Sequence, residues 1–204
     1  MAKNGYKMID AELHVMEPVD LWENYIADEF KDRAPKRMSE GQWDIRTLVE
    51  GEMMACMPES GSYSEPARNS SAGGNGKEDQ VLGNRYKEDI ERNFDPESLI
   101  LAMKKEGLDL AVLFPTSAMY ITAKNGMDPR FAAAACEAYN SWLYDYMQAG
   151  DPSMTYHVGV VSPHDVESAV IETRRCAKEL GSKAIMPRPN MSINFLKLNT
   201  VTHS

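Results

Sequence analysis

Met8-Ile9-Asp10-Ala11-Glu12-Leu13-His14-Val15-Met16-Glu17-Pro18 is an apolar, strand-like run that carries Glu12 and His14 near its end, and Pro18 then stops regular pairing. Side chains on a strand alternate between faces, so Glu12 and His14, two apart, point the same way. A carboxylate and an imidazole side by side at the carboxyl end of an inner strand supply half of a divalent-metal site. The rest of the chain is expected to surround that pair.

Outward from this strand, residues 20–30 form an amphipathic pattern with Asp20 as the expected N-cap and Leu21, Trp22, Tyr25, Ile26 and Phe30 on one face. Residues 43–49 and 52–57 are strand-like runs on either side of Glu50-Gly51, which predicts a small hairpin. Residues 59–80 are rich in Ser, Gly, Asn and Glu around Gly73-Gly74-Asn75-Gly76. A stretch of that length and composition inside a domain reads as a mobile insertion or an active-site flap.

After Tyr86 the pattern becomes regular. Asp95-Pro96-Glu97 starts a helix that stops at Gly107, and Leu110-Ala111-Val112-Leu113-Phe114-Pro115 follows as a continuous apolar strand, the kind buried on both faces. Asp128-Pro129 starts a second helix that reaches Gly150, with Tyr139, Trp142 and Tyr146 spaced for packing against a sheet. A strand over 156–161, a helix over 165–180 closed by Gly181, and a strand over 183–186 complete the series. Strands alternating with crossover helices predict a parallel α/β architecture. The expected organisation is one domain over 1–190 with an insertion at 33–92, then an irregular tail at 191–204.

Composition narrows the function classes. The 204 residues are 43% hydrophobic and carry 31 acidic against 22 basic side chains, a formal charge of −9. That balance argues against a nucleic-acid or anionic-membrane partner. The three cysteines, Cys56, Cys136 and Cys176, are widely spaced with no Cys-x-x-Cys, so buried thiols in a reducing compartment are expected. No run approaches transmembrane length, and the cytoplasm is the expected location.

The opening stretch from Ile9 to Pro18, with Asp20-Leu21-Trp22 and Arg33-Ala34-Pro35, resembles the start of the amidohydrolase-related family of metal-dependent TIM-barrel hydrolases and decarboxylases. Leu110 to Thr116, Ala138-Tyr139-Asn140-Ser141-Trp142-Leu143 and Met186-Pro187-Arg188-Pro189-Asn190 continue the resemblance in order, and it covers most of residues 6–190. It implies a divalent metal, zinc first with manganese or magnesium as alternatives, held by Glu12 and His14. It also implies a further histidine and an aspartate on later strands, which have no positions here. An ordinary hydrogen-bonded strand histidine is the other reading of His14 taken alone.

A complete barrel needs eight strands and about 250 residues. The expectation is therefore an incomplete (β/α)8 TIM barrel of about four strands. Such a chain would be the N-terminal portion of a metal-dependent hydrolase or decarboxylase acting on a small carboxylated or aromatic substrate, and inactive on its own. The alternative is a non-catalytic half-barrel that serves binding or assembly. Either way the outer strands offer free edges through which copies can associate. Further candidates for substrate contact are Glu17 just past the first strand, Arg188 and Asn190 after the fourth, and His164 beyond the third. His157 lies at the wrong end of its strand for chemistry, and His203 falls in the tail.

Overall fold

A computed structural model describes residues 5–18, 20–37, 47–54, 92, 94–122 and 124–187. The expected strand portions at 43–46 and 55–57, the 59–80 stretch, Cys56, Arg188, Asn190 and the tail with His203 lie outside the described residues.

Strand β1 (Ile9–His14) opens the fold and α1 (Leu21–Tyr25) follows. The single helix expected over 20–30 is two pieces. Ile26 and Ala27 turn extended, with ψ of 146° and 142°, and a 3-10 turn then spans Asp28–Arg33. The break lets Ile26 and Phe30 enter the core by separate routes, Phe30 with its ring 5.6 Å from that of Phe131. Asp20 does not cap α1 with its side chain; its carboxylate accepts the side-chain amide of Asn24 at 3.0 Å instead.

Strands β2 (Lys36–Arg37), β3 (Thr47–Val49) and β4 (Glu52–Met54) form a small antiparallel sheet in that order. Glu50 and Gly51 join β3 to β4 with φ of 51° and 79°, the two positive values a type I′ hairpin turn requires. Arg33 pins this turn to the body of the protein. Its guanidinium donates to Glu50 and, at 2.9 Å, to Asp128, and it lies 4.5 Å from the centre of the Phe131 ring.

The remaining elements are α2 (Pro96–Glu106), β5 (Leu110–Phe114), α3 (Ala118–Ile121), α4 (Pro129–Ala149), β6 (Thr155–Val161), α5 (Val166–Lys178) and β7 (Ala184–Pro187). Three of these helices start on aspartates visible in the sequence. Asp95 accepts from the Ser98 N–H at 2.7 Å, Asp128 from Arg130 at 3.0 Å and Asp165 from Ser168 at 2.7 Å. Gly107 ends α2 in the left-handed region, and the Leu108 N–H returns to the Met103 carbonyl at 2.8 Å.

The main sheet is parallel, in the order β1-β5-β6-β7. Each strand adds to the same growing edge, so right-handed crossovers put every helix on one face and the sheet curls in one sense. That is the rule of a barrel, not of a doubly wound sheet, where the order reverses. Four strands make half of the eight a closed barrel has.

Curling without closure corrects one expectation. Strand β5 is not buried on both faces: Ala111 and Leu113 are sealed against the helices, whereas Leu110, Val112 and Phe114 on the other face are half-buried. On the helix side, Tyr139 and Trp142 are core residues as the spacing predicts, with ring centres 5.7 Å apart and Trp142 a further 5.3 Å from Tyr146. Gly159 permits a close helix contact. A Cβ there would sit 2.8 Å from Cys176 Sγ and 2.9 Å from Ile185 Cδ1, so a larger residue would push both side chains aside. Cys136 and Cys176 are buried free thiols, and no helix among the described residues is long and apolar enough to cross a membrane.

His157 is buried on the helix side of β6, where Nδ1 pairs with the Ser182 hydroxyl and Nε2 has no partner among the described residues. Burial drives its pKa down to about 4, with Glu172 opposing the shift and Arg175 adding to it. A histidine depressed in the folded state contributes stability above its unfolded pKa of about 6.5 and loses it as pH falls towards the folded value. Urea unfolding of the wild-type chain should therefore show about 2 kcal/mol less stability at pH 5 than at pH 7.5 from this residue. The His157→Gln variant should show a flatter profile over that window. An unchanged slope in the variant would assign the acid sensitivity elsewhere.

Candidate metal centre

Strand β1 does not run regularly to its functional end. Asp10 pairs with Ala111 and Leu13 with Leu113, so three steps on β1 match two on β5, and the bulge lies between. Asp10 turns its carboxylate onto the Glu12 N–H at 3.0 Å and satisfies a donor within the bulge. The register puts Asp10 with Ala111 and Leu13 with Leu113, the helix-facing residues, and pairs His14 with Phe114 on the open face.

Glu12 and His14 project together, as alternation predicts. Glu12 Oε1 and His14 Nε2 are 3.9 Å apart, with 75% of the Glu12 side chain and 40% of the His14 side chain exposed. The other ring nitrogen is committed, since His14 Nδ1 lies 2.7 Å from the Pro115 carbonyl oxygen. A carbonyl can only accept, so Nδ1 carries the proton and the Nε2 lone pair faces Glu12. Zinc bonds to oxygen and nitrogen are about 2.0–2.2 Å long, so at a tetrahedral angle two such donors stand about 3.4 Å apart. The tautomer suits a shared ion, and the exposed Glu12 side chain would have to swing about 0.5 Å closer to His14 to complete the pair. Among the described residues no group of three or more His, Cys, Asp or Glu side chains is placed to hold a metal.

Glu17 lies just beyond, and it is not a solvated turn residue. It is 3% exposed, and its carboxylate accepts from the Thr116 N–H at 2.9 Å, the Ala118 N–H at 3.0 Å, and both the Ser117 N–H and hydroxyl at 3.1 Å. These donors form the loop that follows β5 and leads into α3. The Thr116 hydroxyl closes the loop back onto the Val15 carbonyl at 2.8 Å.

His164 is also buried, past the carboxyl end of β6. Its Nε2 donates to the Lys124 carbonyl at 2.7 Å and its Nδ1 pairs with the Ser162 hydroxyl at 3.0 Å, so the ring ties the loop after α3 to the loop after β6. Lys124 was not singled out by the sequence. Its side chain is only 13% exposed and pairs with Glu52 of the hairpin at 2.9 Å. The hairpin is thus fastened to the loops at the carboxyl ends of the strands, the end at which barrel enzymes carry their sites.

A scan against protein-family models found no match, and neither did a search of curated proteins. Solved structures do match. An amidohydrolase from Mycobacterium avium subsp. paratuberculosis K-10 superposes with a TM-score of 0.56 at 18% identity, over 90% of this chain and 50% of its own. The 5-carboxyvanillate decarboxylase of Novosphingobium aromaticivorans DSM 12444, solved as a mutant with bound manganese and 3-methoxy-4-hydroxy-5-nitrobenzoic acid, superposes with a TM-score of 0.53. It is 23% identical, over 93% of this chain and 44% of its own. The chain spans about half the length of these structures. The order of its strands and the extent of these superpositions agree: the described residues have the fold of about half of a (β/α)8 barrel, as in these two structures.

Proposed function

We propose that this chain is the N-terminal half of a metal-dependent hydrolase or decarboxylase, in which Glu12 and His14 are the first two ligands of a divalent ion. The observation that carries the reading is the fixed tautomer of His14: the Pro115 carbonyl holds the Nδ1 proton and leaves Nε2 directed at Glu12. An ordinary strand histidine has no need of a carboxylate on the other side of its ring. Zinc suits an imidazole–carboxylate pair, with manganese and magnesium as alternatives. When bound, a divalent ion supplies Lewis acidity, either to a water molecule or to the oxygens of a carboxylated substrate.

The chain's own residues then divide the work. Glu12 and His14 bind; Glu17 and His164 hold the loops around them and act as positioning residues. The bound nitrobenzoate in the decarboxylase supports a small carboxylated aromatic acid as the substrate class. Arg188 and Asn190, which follow β7 in sequence, are proposed to hold its anionic group. A second reading, a non-catalytic half-barrel that serves assembly, is favoured by the presence of only two donors among the described residues. It predicts indifference to chelators.

Titration calorimetry with Mn²⁺ or Zn²⁺ separates the two. The wild-type chain should bind the ion, and His14→Ala and Glu12→Gln should each weaken binding by at least about 10-fold. Equal metal content in wild type and His14→Ala would sink the metal reading in favour of the assembly module.

Glu17→Ala tests the positioning role. Removing a buried carboxylate that satisfies several donors should cost about 2–4 kcal/mol in urea unfolding. It should also speed amide hydrogen exchange at Thr116, Ser117 and Ala118 and weaken metal binding by about 10-fold through the displaced Pro115 carbonyl. Faster exchange with unaltered metal affinity would confine Glu17 to stability.

A further inference from the structure

His14 stands opposite Phe114, its register partner on β5, and the two rings lie 6.2 Å apart at an interplanar angle of 44°. The backbone holds that ring in place. The Phe114 carbonyl accepts from the Val15 N–H at 2.9 Å, and the next carbonyl, that of Pro115, takes the His14 ring at 2.7 Å. Two consecutive carbonyls of β5 therefore bind β1 around His14, and the contact that sets its tautomer also sets Phe114 beside it.

Phe114 is not spent on the hydrophobic core. Among the described residues Leu113 is fully buried in that core and Leu13 packs against it, whereas Phe114 belongs to neither group. Alternation explains the difference, since Leu113 faces the helices and Phe114 the opposite side. Phe114 is also the last residue of β5, at the carboxyl end, where the interior of a barrel gives way from packed layers to the site. That placement follows from β1 and β5 alone, whatever covers the rest of the sheet. One step deeper on the same face Val112 pairs with Tyr156 of β6. A charged pair at the mouth with apolar side chains beside and below it suits a ligand that has an anionic head and an apolar body.

We propose that Phe114 is a specificity-determining residue, its ring being the platform for the ring of an aromatic carboxylate whose acid group is held at the Glu12–His14 pair. The proposal rests on the metal reading above and adds to it the residue that selects the ligand's body. Aromatic rings attract one another in offset or tilted arrangements at centre separations of about 4.5–7 Å, because their faces are electron-rich and their edges electron-poor. A saturated ring of similar size gains contact area on Phe114 and nothing more. Phe114 therefore separates planar aromatic acids from saturated ones, a choice that binding of the carboxylate alone does not make.

Ligand-observed NMR on the Mn²⁺-loaded protein, with benzoate and cyclohexanecarboxylate as probes, tests this, and calorimetry on the same samples reads the Mn²⁺ affinity. Benzoate should bind about 5-fold more tightly than cyclohexanecarboxylate, with its proton relaxation enhanced by the ion. Phe114→Leu keeps an apolar side chain and should erase the preference, while Mn²⁺ affinity and the circular dichroism spectrum stay as in the wild type. Phe114→Tyr keeps the ring and should keep the preference. A preference that survives Phe114→Leu, or that is missing in the wild type, overturns the platform and leaves the metal reading intact. Benzoate bound without relaxation enhancement sits elsewhere and overturns it too. Loss of Mn²⁺ from Phe114→Leu would make the ring a support for His14 and not a platform. A wild type that takes up no Mn²⁺ overturns the metal reading and this proposal with it.

Discussion

A carboxylate taken out of water is tolerated only where donors replace its hydration, and Glu17 is built on that condition. Three consecutive backbone N–H groups and one hydroxyl converge on its two oxygens. Those donors come from residues about a hundred positions away, so the first βα loop and the second are fixed as one piece. Pro115 stands immediately before these donors, and its carbonyl sets the tautomer of His14. The chemistry available at the end of β1 thus depends on a neighbour that offers no chemistry of its own. Two successive constraints, a buried charge and a committed ring nitrogen, turn an exposed histidine into a directed donor.

The parts of the fold legible in the sequence were those fixed locally. Asp95, Asp128 and Asp165 announce their helices because a cap is satisfied within a few residues, and Glu50-Gly51 announces its turn because two positive φ values must be met on the spot. Strand alternation likewise sufficed to put Glu12 and His14 together. What stayed hidden was whatever depends on distant donors or on closure. Nothing near Glu17 in sequence reveals that residues 116–118 will bury it. The helix break at Ile26 answers to Phe131, and the half-exposed face of β5 answers to strands that four cannot supply.

Arg33 and Lys124 carry the same lesson to the hairpin. Each meets a hairpin carboxylate, Glu50 and Glu52 respectively, and each is anchored near the start of α4 or in the loop before it. Exposed ion pairs contribute little singly, but Arg33 also stacks on Phe131 and Lys124 is largely buried, so both hold a defined geometry. The antiparallel insert is consequently a wall at the carboxyl ends of the strands and not a loose appendage.

The bulge in β1 explains why Glu12 and His14 stand where they do. On a regular strand Asp10, Glu12 and His14 would share one face, and three acidic or imidazole groups would line up with Leu13 opposite them. The extra residue between Asp10 and Leu13 breaks that alignment. Asp10 moves into register with Ala111 and spends its carboxylate on the Glu12 N–H, while Leu13 keeps its place against Leu113 in the core. Only Glu12 and His14 are then left facing the open side. A one-residue irregularity therefore separates a carboxylate held by the backbone from one left exposed beside His14, although the two lie two positions apart in the chain.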